Sequence, residues 1–218
     1  MTLAVEQLSL GPIGTNSYVV QAGRGAPEAV VVDPSGDVAA IRLRLAELGA
    51  GCAAILVTHG HWDHLVGVAE LAEGTGAPVH MAELERITLE DPMAFAPPSI
   101  PIAAHTPEVL LHGRETLELA GITFDVLSVP GHSPAHLAYA ADGCLFSGDV
   151  LFAGSVGRTD LPGASWETLL GSIRSVVDAY PPETVVYPGH GPETTLGAEL
   201  ARNPFLGELR AERRETRA

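Results

Sequence analysis

Apolar positions along this chain follow two rhythms, one of strands and one of helices. Residues 3–10 and 16–21 form two short strand-like runs, punctuated by Gly11, Pro12, Gly14 and Asn16, which predicts a hairpin. Ala29-Val30-Val31-Val32 is a buried-type strand run that stops at Asp33-Pro34. Val38, Ile41, Leu45 and Leu48 then recur on one helical face, while Arg42, Arg44 and Glu47 point away. Ser35 or Asp37 can cap that helix and Gly49 can end it. Ala53-Ala54-Ile55-Leu56-Val57 is apolar without alternation, the pattern of a strand covered on both faces. The first 57 residues therefore read β, β, β, α, β.

The same reading predicts helices at 65–73 and 82–89 around a short strand at 79–81. Asp91-Pro92, Pro97-Pro98, Pro101 and Pro107 forbid regular structure across most of residues 91–107. That stretch also carries Met93, Phe95 and Ile100, so it is either a loop packed on the surface or an apolar lid over a substrate. Strands follow near 108–111, 115–119, 122–129, 136–140 and 143–147. Trp166, Leu169, Leu170, Ile173, Val176 and Val177 mark a helix with Ser165 as N-cap, and 184–187 reads as a last strand. Residues 192–216 read as helical, with a solvated, mixed-charge face. No fixed-period repeat is present. Interleaved strands and helices together with hairpins predict an α/β protein with mixed sheets covered by helices on both outer sides. The 218 residues suit one domain, 1–218, with a full core.

Composition narrows the function classes. The chain is 46% hydrophobic and 18% charged, which is globular rather than disordered. Its net charge is −15 and its 12 basic residues are all Arg, so the surface repels phosphate backbones and no nucleic-acid partner is expected. Cys52 and Cys144 cannot make a disulfide scaffold. The first twenty residues lack a basic segment, and no apolar run reaches the roughly 20 residues of a membrane helix. The expectation is a soluble, cytoplasmic protein with a small-molecule substrate; its oligomeric state is left open.

The chemistry concentrates at Thr58-His59-Gly60-His61-Trp62-Asp63-His64, directly after a buried strand. In extended chain, i and i+2 project to one side, so His59 and His61 can present two imidazoles to one ion. Asp63 and His64 follow where the chain turns into a helix and can serve a neighbouring position. His132, Asp149 and His190 each follow a predicted strand in a turn containing glycine, where the backbone can approach a ligand closely. The count suggests two sites: His59, His61 and His132 for one ion, Asp63, His64 and His190 for the other, with Asp149 bridging. All the ligands are N or O, a set that suits two divalent ions, zinc first, with iron or manganese also possible. Two such ions with two aspartates leave the site at about +2 before hydroxide binds, which favours an anionic or carbonyl-bearing substrate.

These residues resemble the metallo-β-lactamase superfamily through its His-x-His-x-Asp-His signature at 59–64. Gly131-His132, Gly148-Asp149 and Gly189-His190 match in order. The resemblance spans essentially the whole chain and implies an αβ/βα four-layer sandwich, two mixed β-sheets flanked by helices, with metals at one edge. Asp149 stands where class B β-lactamases typically carry Cys, which points to the glyoxalase II-like branch. Gly154-Ser155-Val156-Gly157-Arg158-Thr159-Asp160, Pro188–Pro192 and Asn203-Pro204-Phe205 look like the short bacterial hydroxyacylglutathione hydrolase-like subgroup. The Gly-Arg-Thr-Asp segment also occurs in persulfide dioxygenases of that branch. Larger glyoxalase II enzymes add a basic helical region that grips glutathione. Here 28 residues follow His190 and none is Lys, so glutathione recognition does not carry over.

The reaction so implied is thioester hydrolysis by a metal-bridging hydroxide, held with the help of Asp149 and oriented by Asp63. His136, four residues after His132, either orients a ligand or is a core strand residue. Arg158 either binds a substrate carboxylate or ties down its loop by a salt bridge. The rivals are a mononuclear iron persulfide dioxygenase using His59, His132 and Asp149, and a lactonase or β-lactamase with the same ligands. A nuclease is a poor fit to the acidity. His80, His105 and His112 match no ligand spacing and are expected at the surface or in loops. Cys52, Cys144 and Trp62 are expected to pack.

Overall fold

The computed structural model describes residues 2–215; residue 216, the last of the predicted helical stretch, lies outside the described residues. The chain begins with the predicted hairpin, β1 (Ala4–Leu10) and β2 (Thr15–Gln21), then β3 (Glu28–Val32), α1 (Val38–Glu47) and β4 (Gly51–Leu56). Asp37 supplies the cap of α1, accepting from the Ala40 N–H at 3.1 Å, while Ser35 turns its hydroxyl to the Asp33 carbonyl. The helical segment after β4 starts earlier than its apolar pattern, inside the ligand-rich stretch: α2 (Trp62–Leu65) precedes α3 (Val68–Thr75). Gly67 separates them because a Cβ there would lie 2.7 Å from the Pro34 carbonyl oxygen.

Next come β5 (Val79–Ala82), a 3₁₀ turn, α4 (Ile87–Glu90), β6 (Val109–Leu111), β7 (Thr116–Leu119), β8 (Ile122–Ser128), β9 (Leu137–Ala141) and β10 (Cys144–Gly148). A small hairpin, β11 (Leu151–Phe152) and β12 (Ser155–Val156), leads to α5 (Trp166–Ala179) and β13 (Val185–Pro188). Ser165 caps α5 as predicted. The C-terminal stretch is not one solvated helix. It holds β14 (Thr194–Thr195), α6 (Leu196–Arg202), a 3₁₀ turn and α7 (Gly207–Glu215), and it buries Leu196, Leu206 and Leu209. Its charge pattern reports only the outer face of these short helices. The 91–107 stretch is irregular apart from one 3₁₀ turn at Pro92–Ala94. It packs Ile100 and Ile102 against the core and leaves Met93 and Phe95 about half exposed.

Two six-stranded mixed sheets face each other, in the orders β1-β2-β3-β4-β5-β6 and β14-β13-β10-β9-β8-β7. Alternation along each strand feeds separate cores. Val19, Val31, Ile55 and Val79 pack under α1 and α3, whereas Tyr18, Val20, Val30, Val32 and Leu56 meet Phe124, Val126, Tyr139 and Phe146 between the sheets. Ala138, Ala140, Leu145 and Val186 pack under α5 and the C-terminal helices. The result is the expected four-layer sandwich of helices, sheet, sheet and helices. His80 departs from expectation: it lies in β5 and is buried, because that strand runs between β4 and β6 and all four of its residues are covered.

β8, β10 and β13 run parallel to one another, so their carboxyl ends share one edge. Contacts between the sheets bring the end of β4 to that edge. The Leu137 N–H donates to the Thr58 carbonyl at 2.8 Å, and the Asn16 N–H donates to the Gly189 carbonyl at 2.7 Å. Gly131 shows how tight the junction is: it takes φ +134°, and a Cβ would lie 2.3 Å from the Leu169 backbone nitrogen at the start of α5.

Candidate metal centre

Every predicted ligand sits at this shared edge. His59 and His61 follow β4, Asp63 and His64 lie in α2, and His132, Asp149 and His190 follow β8, β10 and β13. In the first group, His61 Nδ1 is 3.0 Å from His59 Nε2 and 2.8 Å from His132 Nε2. The second group is Asp63, His64 and His190. There His64 Nε2 and His190 Nε2 each lie 3.3 Å from Asp63 Oδ2. Asp149 touches both groups: its Oδ1 is 3.4 Å from His64 Nε2, and its Oδ2 is 3.4 Å from His132 Nε2 and 3.5 Å from His190 Nε2.

The supporting contacts decide which ring nitrogen faces inward. His132 Nδ1 donates to the Arg158 carbonyl at 2.8 Å, which leaves a lone pair on Nε2. His64 Nδ1 meets Asp33 Oδ2 at 2.9 Å, which turns its Nε2 into the cluster. His64 Nε2 and Asp149 Oδ1 are buried without a hydrogen-bond partner in the protein. Converging lone pairs and orphaned buried polar atoms are an expensive arrangement for protein alone. Divalent cations satisfy both, so the donor set fits them.

Glycines make room at the junction. A Cβ on Gly189 would lie 2.1 Å from Asp149 Oδ1, and one on Gly148 would lie 2.5 Å from Thr58 Oγ1.

His136 does not join the ligand groups. Its ring stacks on His59, its Nε2 accepts from the Asp149 N–H at 3.1 Å, and burial drives its pKa well below 6.5. Arg158 lies at the surface with its guanidinium on Asp160, both contacts at 2.7 Å, and reaches the cluster only through its backbone carbonyl. His105 and His112 lie apart from the cluster, beside Glu108 and Glu83.

Several supporting residues gave little sign in the sequence. Asp33 accepts from the Thr58 N–H at 2.8 Å, the Thr58 hydroxyl at 2.7 Å and His64. Thr15 donates to Asp63 Oδ2 at 2.8 Å. Glu85 accepts from the Gly60 and Ala135 N–H groups at 2.5 and 2.7 Å, tying two ligand loops together. Asp33 stands at the end of a buried strand as the proposed ligands do, but before Pro34 it reads as a turn residue.

A sequence model of the metallo-beta-lactamase superfamily matches residues 10–190. The chain belongs to that superfamily. It is 35% identical to YqgX of Bacillus subtilis (strain 168), a probable metallo-hydrolase, over 92% of this chain and 96% of that one. It is 34% identical to the hydroxyacylglutathione hydrolase GloC of Haemophilus influenzae, over 82% of this chain and 87% of that one. Among solved structures, BLEG-1 B3 metallo-beta-lactamase gives a TM-score of 0.88 at 39% identity, covering 94% of this chain and 100% of that one. TTHA1623 in a di-iron-bound form gives 0.79 at 38%, covering 93% and 100%. Membership of the superfamily and the His/Asp cluster make this chain a metal-dependent hydrolase. No helix among the described residues is long and apolar enough to cross a membrane.

The superfamily cluster binds protons when metal is absent. Burial disfavours the His190 cation, but Asp149 and Asp63 outweigh it and raise its pKa to about 9. Burial likewise opposes the His64 cation, and Asp33 and Asp149 hold its pKa well above 6.5. In the metal-free protein, protonation of His190 stabilises the fold below the unfolded value of 6.5, and that contribution fades as pH rises through about 9. A metal held by these residues would displace these protons. Zinc uptake at pH 7 is expected to release about two protons per chain, with affinity falling as pH falls. Zinc titration in weakly buffered solution with an indicator checks this, and uptake without proton release would contradict it.

Proposed function

We propose that this chain is a binuclear metallohydrolase that cleaves thioesters of the hydroxyacylglutathione type. The observation that carries the reading is Asp149, one carboxylate within 3.5 Å of imidazoles from both ligand groups. His59, His61 and His132 would hold one cation and Asp63, His64 and His190 the other, zinc first. The 34% identity to a hydroxyacylglutathione hydrolase supports the substrate class.

Bound divalent cations supply Lewis acidity, lowering the pKa of water and polarising an acyl carbonyl. The residues supply the rest. Burial opposes ionisation of Asp63, but His190, His64 and Thr15 outweigh it and lower its pKa, so the carboxylate is ionised at neutral pH and can accept a proton from attacking water. Thr15 fixes its orientation. His136 stays neutral and holds the Asp149 backbone in place. A thiolate with an ordinary pKa of about 8.5 departs without a strong general acid.

The 39% identity to a B3 metallo-beta-lactamase favours a second reading, lactam hydrolysis by the same residues. The di-iron-bound neighbour supports iron as an alternative metal; a mononuclear iron persulfide dioxygenase using His59, His132 and Asp149 is the remaining alternative. One preparation tests all three. Metal analysis of protein made without added zinc is paired with assays on a hydroxyacylglutathione thioester, a β-lactam and a persulfide with an oxygen electrode. Close to two zinc ions per chain with thioester turnover is the expected result. About one iron per chain, oxygen uptake on persulfide addition and no thioester turnover would replace the hydrolase with the dioxygenase.

A further inference from the structure

Asn203-Pro204-Phe205 has no part in the chemistry above, yet Asn203 is fully buried, and Glu199, one turn earlier on α6, is 5% exposed. Neither touches a proposed ligand. Glu199 Oε2 accepts from the Gly154 N–H at 2.8 Å and from Asn203 Nδ2 at 2.8 Å. Its Oε1 accepts from the Thr194 hydroxyl at 2.7 Å. Asn203 Nδ2 also donates to the Ser155 carbonyl at 2.9 Å. Gly154 lies in the turn of the β11–β12 hairpin and Ser155 is the first residue of β12, so Glu199 and Asn203, at the end of α6, grip that hairpin through two buried side chains.

The chain on both sides of that grip lies against the metal centre. Phe152, the last residue of β11, packs edge-on to His190 with ring centroids 6.0 Å apart. After β12 the chain passes Gly157, where a Cβ would strike the Asp149 carbonyl oxygen at 1.9 Å, and reaches the Arg158 carbonyl that fixes His132. Two hairpin residues on β11 and two on β12 pair with each other, too few to fix the hairpin's orientation alone. The grip of α6 supplies what that short ladder lacks.

We propose that Glu199 and Asn203 are positioning residues for the metal centre, orienting the β11–β12 hairpin so that Arg158 fixes the His132 ring and Phe152 backs His190. The proposal rests on His132 and His190 being metal ligands. The sequence therefore reaches the site from its C-terminal helices by a short route, without contacting substrate.

The test uses the full chain with ¹⁵N-labelled histidine. In the metal-free wild type, His132 shows the Nδ1–H tautomer that the Arg158 carbonyl demands. Glu199→Ala is expected to mix the His132 tautomers, shift the His190 ring protons as Phe152 moves, and weaken zinc binding by about 10- to 100-fold in chelator competition. His105, which lies apart from the cluster beside Glu108, keeps its signals. Glu199→Gln is expected to restore all three readouts, because its amide oxygen can still accept from Gly154 and Asn203. If Glu199→Ala does not fold, Asn203→Asp serves instead: it keeps the oxygen that caps the Phe205 N–H but loses the donor to Ser155. A folded variant with unchanged His132 signals and zinc affinity would overturn the proposal, as would signals of His105 moving as far as those of His132. Failure of the underlying ligand assignment is seen separately, as a His132→Ala protein that binds zinc like the wild type.

Discussion

Asp149→Ala is expected to cut thioester turnover by roughly three to four orders of magnitude and to reduce bound metal from two ions toward one or none. The reason is geometric. Asp149 contacts His64, His132 and His190 between 3.4 and 3.5 Å, and these imidazoles belong to both ligand groups. Burial alone would raise the Asp149 pKa, yet His64 and His190 drive it well below the carboxylate range, so the side chain is an anion at the point where two cations would meet. Its loss leaves three imidazoles facing one another without negative charge to hold cations. A barrier increase of about 4–5.5 kcal/mol corresponds to the stated loss in rate. Asp149→Asn keeps one carbonyl oxygen and is expected to hold one ion with low activity. Metal analysis and kcat/KM on the same preparations check both variants. An Asp149→Ala protein that retains two ions and full turnover would show that the two groups do not share this carboxylate.

The proposed ligands were legible because each stands out locally. A polar residue directly after a covered strand, beside a glycine, departs from the pattern of packing; five of the seven proposed ligands stand beside a glycine, in four segments. The layers were legible for a similar reason, since strand and helix periods appear in any short window. What stayed hidden depends on chain segments far apart in sequence. Asp33 before Pro34 looks like an ordinary turn residue until Thr58 and His64 are folded against it. Glu85 looks like part of an exposed helical turn until Gly60 and Ala135 approach from separate sheets. His80 departs from its local pattern for the same reason. Its neighbours in β4 and β6 bury it, and nothing within the tetrapeptide Val79–Ala82 announces that covering. Buried polar residues that serve other polar residues are therefore the class least visible to local pattern.

Asp33→Asn tests that class directly, and its expected effect is large for a residue outside the ligand set. Asp33 Oδ1 accepts from the Thr58 N–H, and Oδ2 accepts from both the Thr58 hydroxyl and His64 Nδ1. An asparagine has one oxygen to offer. With its amide oxygen toward the Thr58 N–H, the NH₂ group faces His64 Nδ1–H, donor against donor. His64 is then driven to the opposite tautomer, which places a proton on the Nε2 that the proposed metal site needs free. With the amide reversed, the buried Thr58 N–H loses its acceptor. Either orientation costs about 1–3 kcal/mol of stability. It also lowers affinity at the Asp63, His64 and His190 position by about 10- to 100-fold. Asparagine suits this test better than alanine because Asp33 takes φ +47°, a conformation asparagine tolerates, so backbone strain does not enter the comparison. Chelator competition reads the affinity, and urea unfolding of the metal-free protein reads the stability. A variant that matches the wild type in both would mean that His64 is oriented by its packing alone, and that the carboxylate at the end of β3 is incidental to the site.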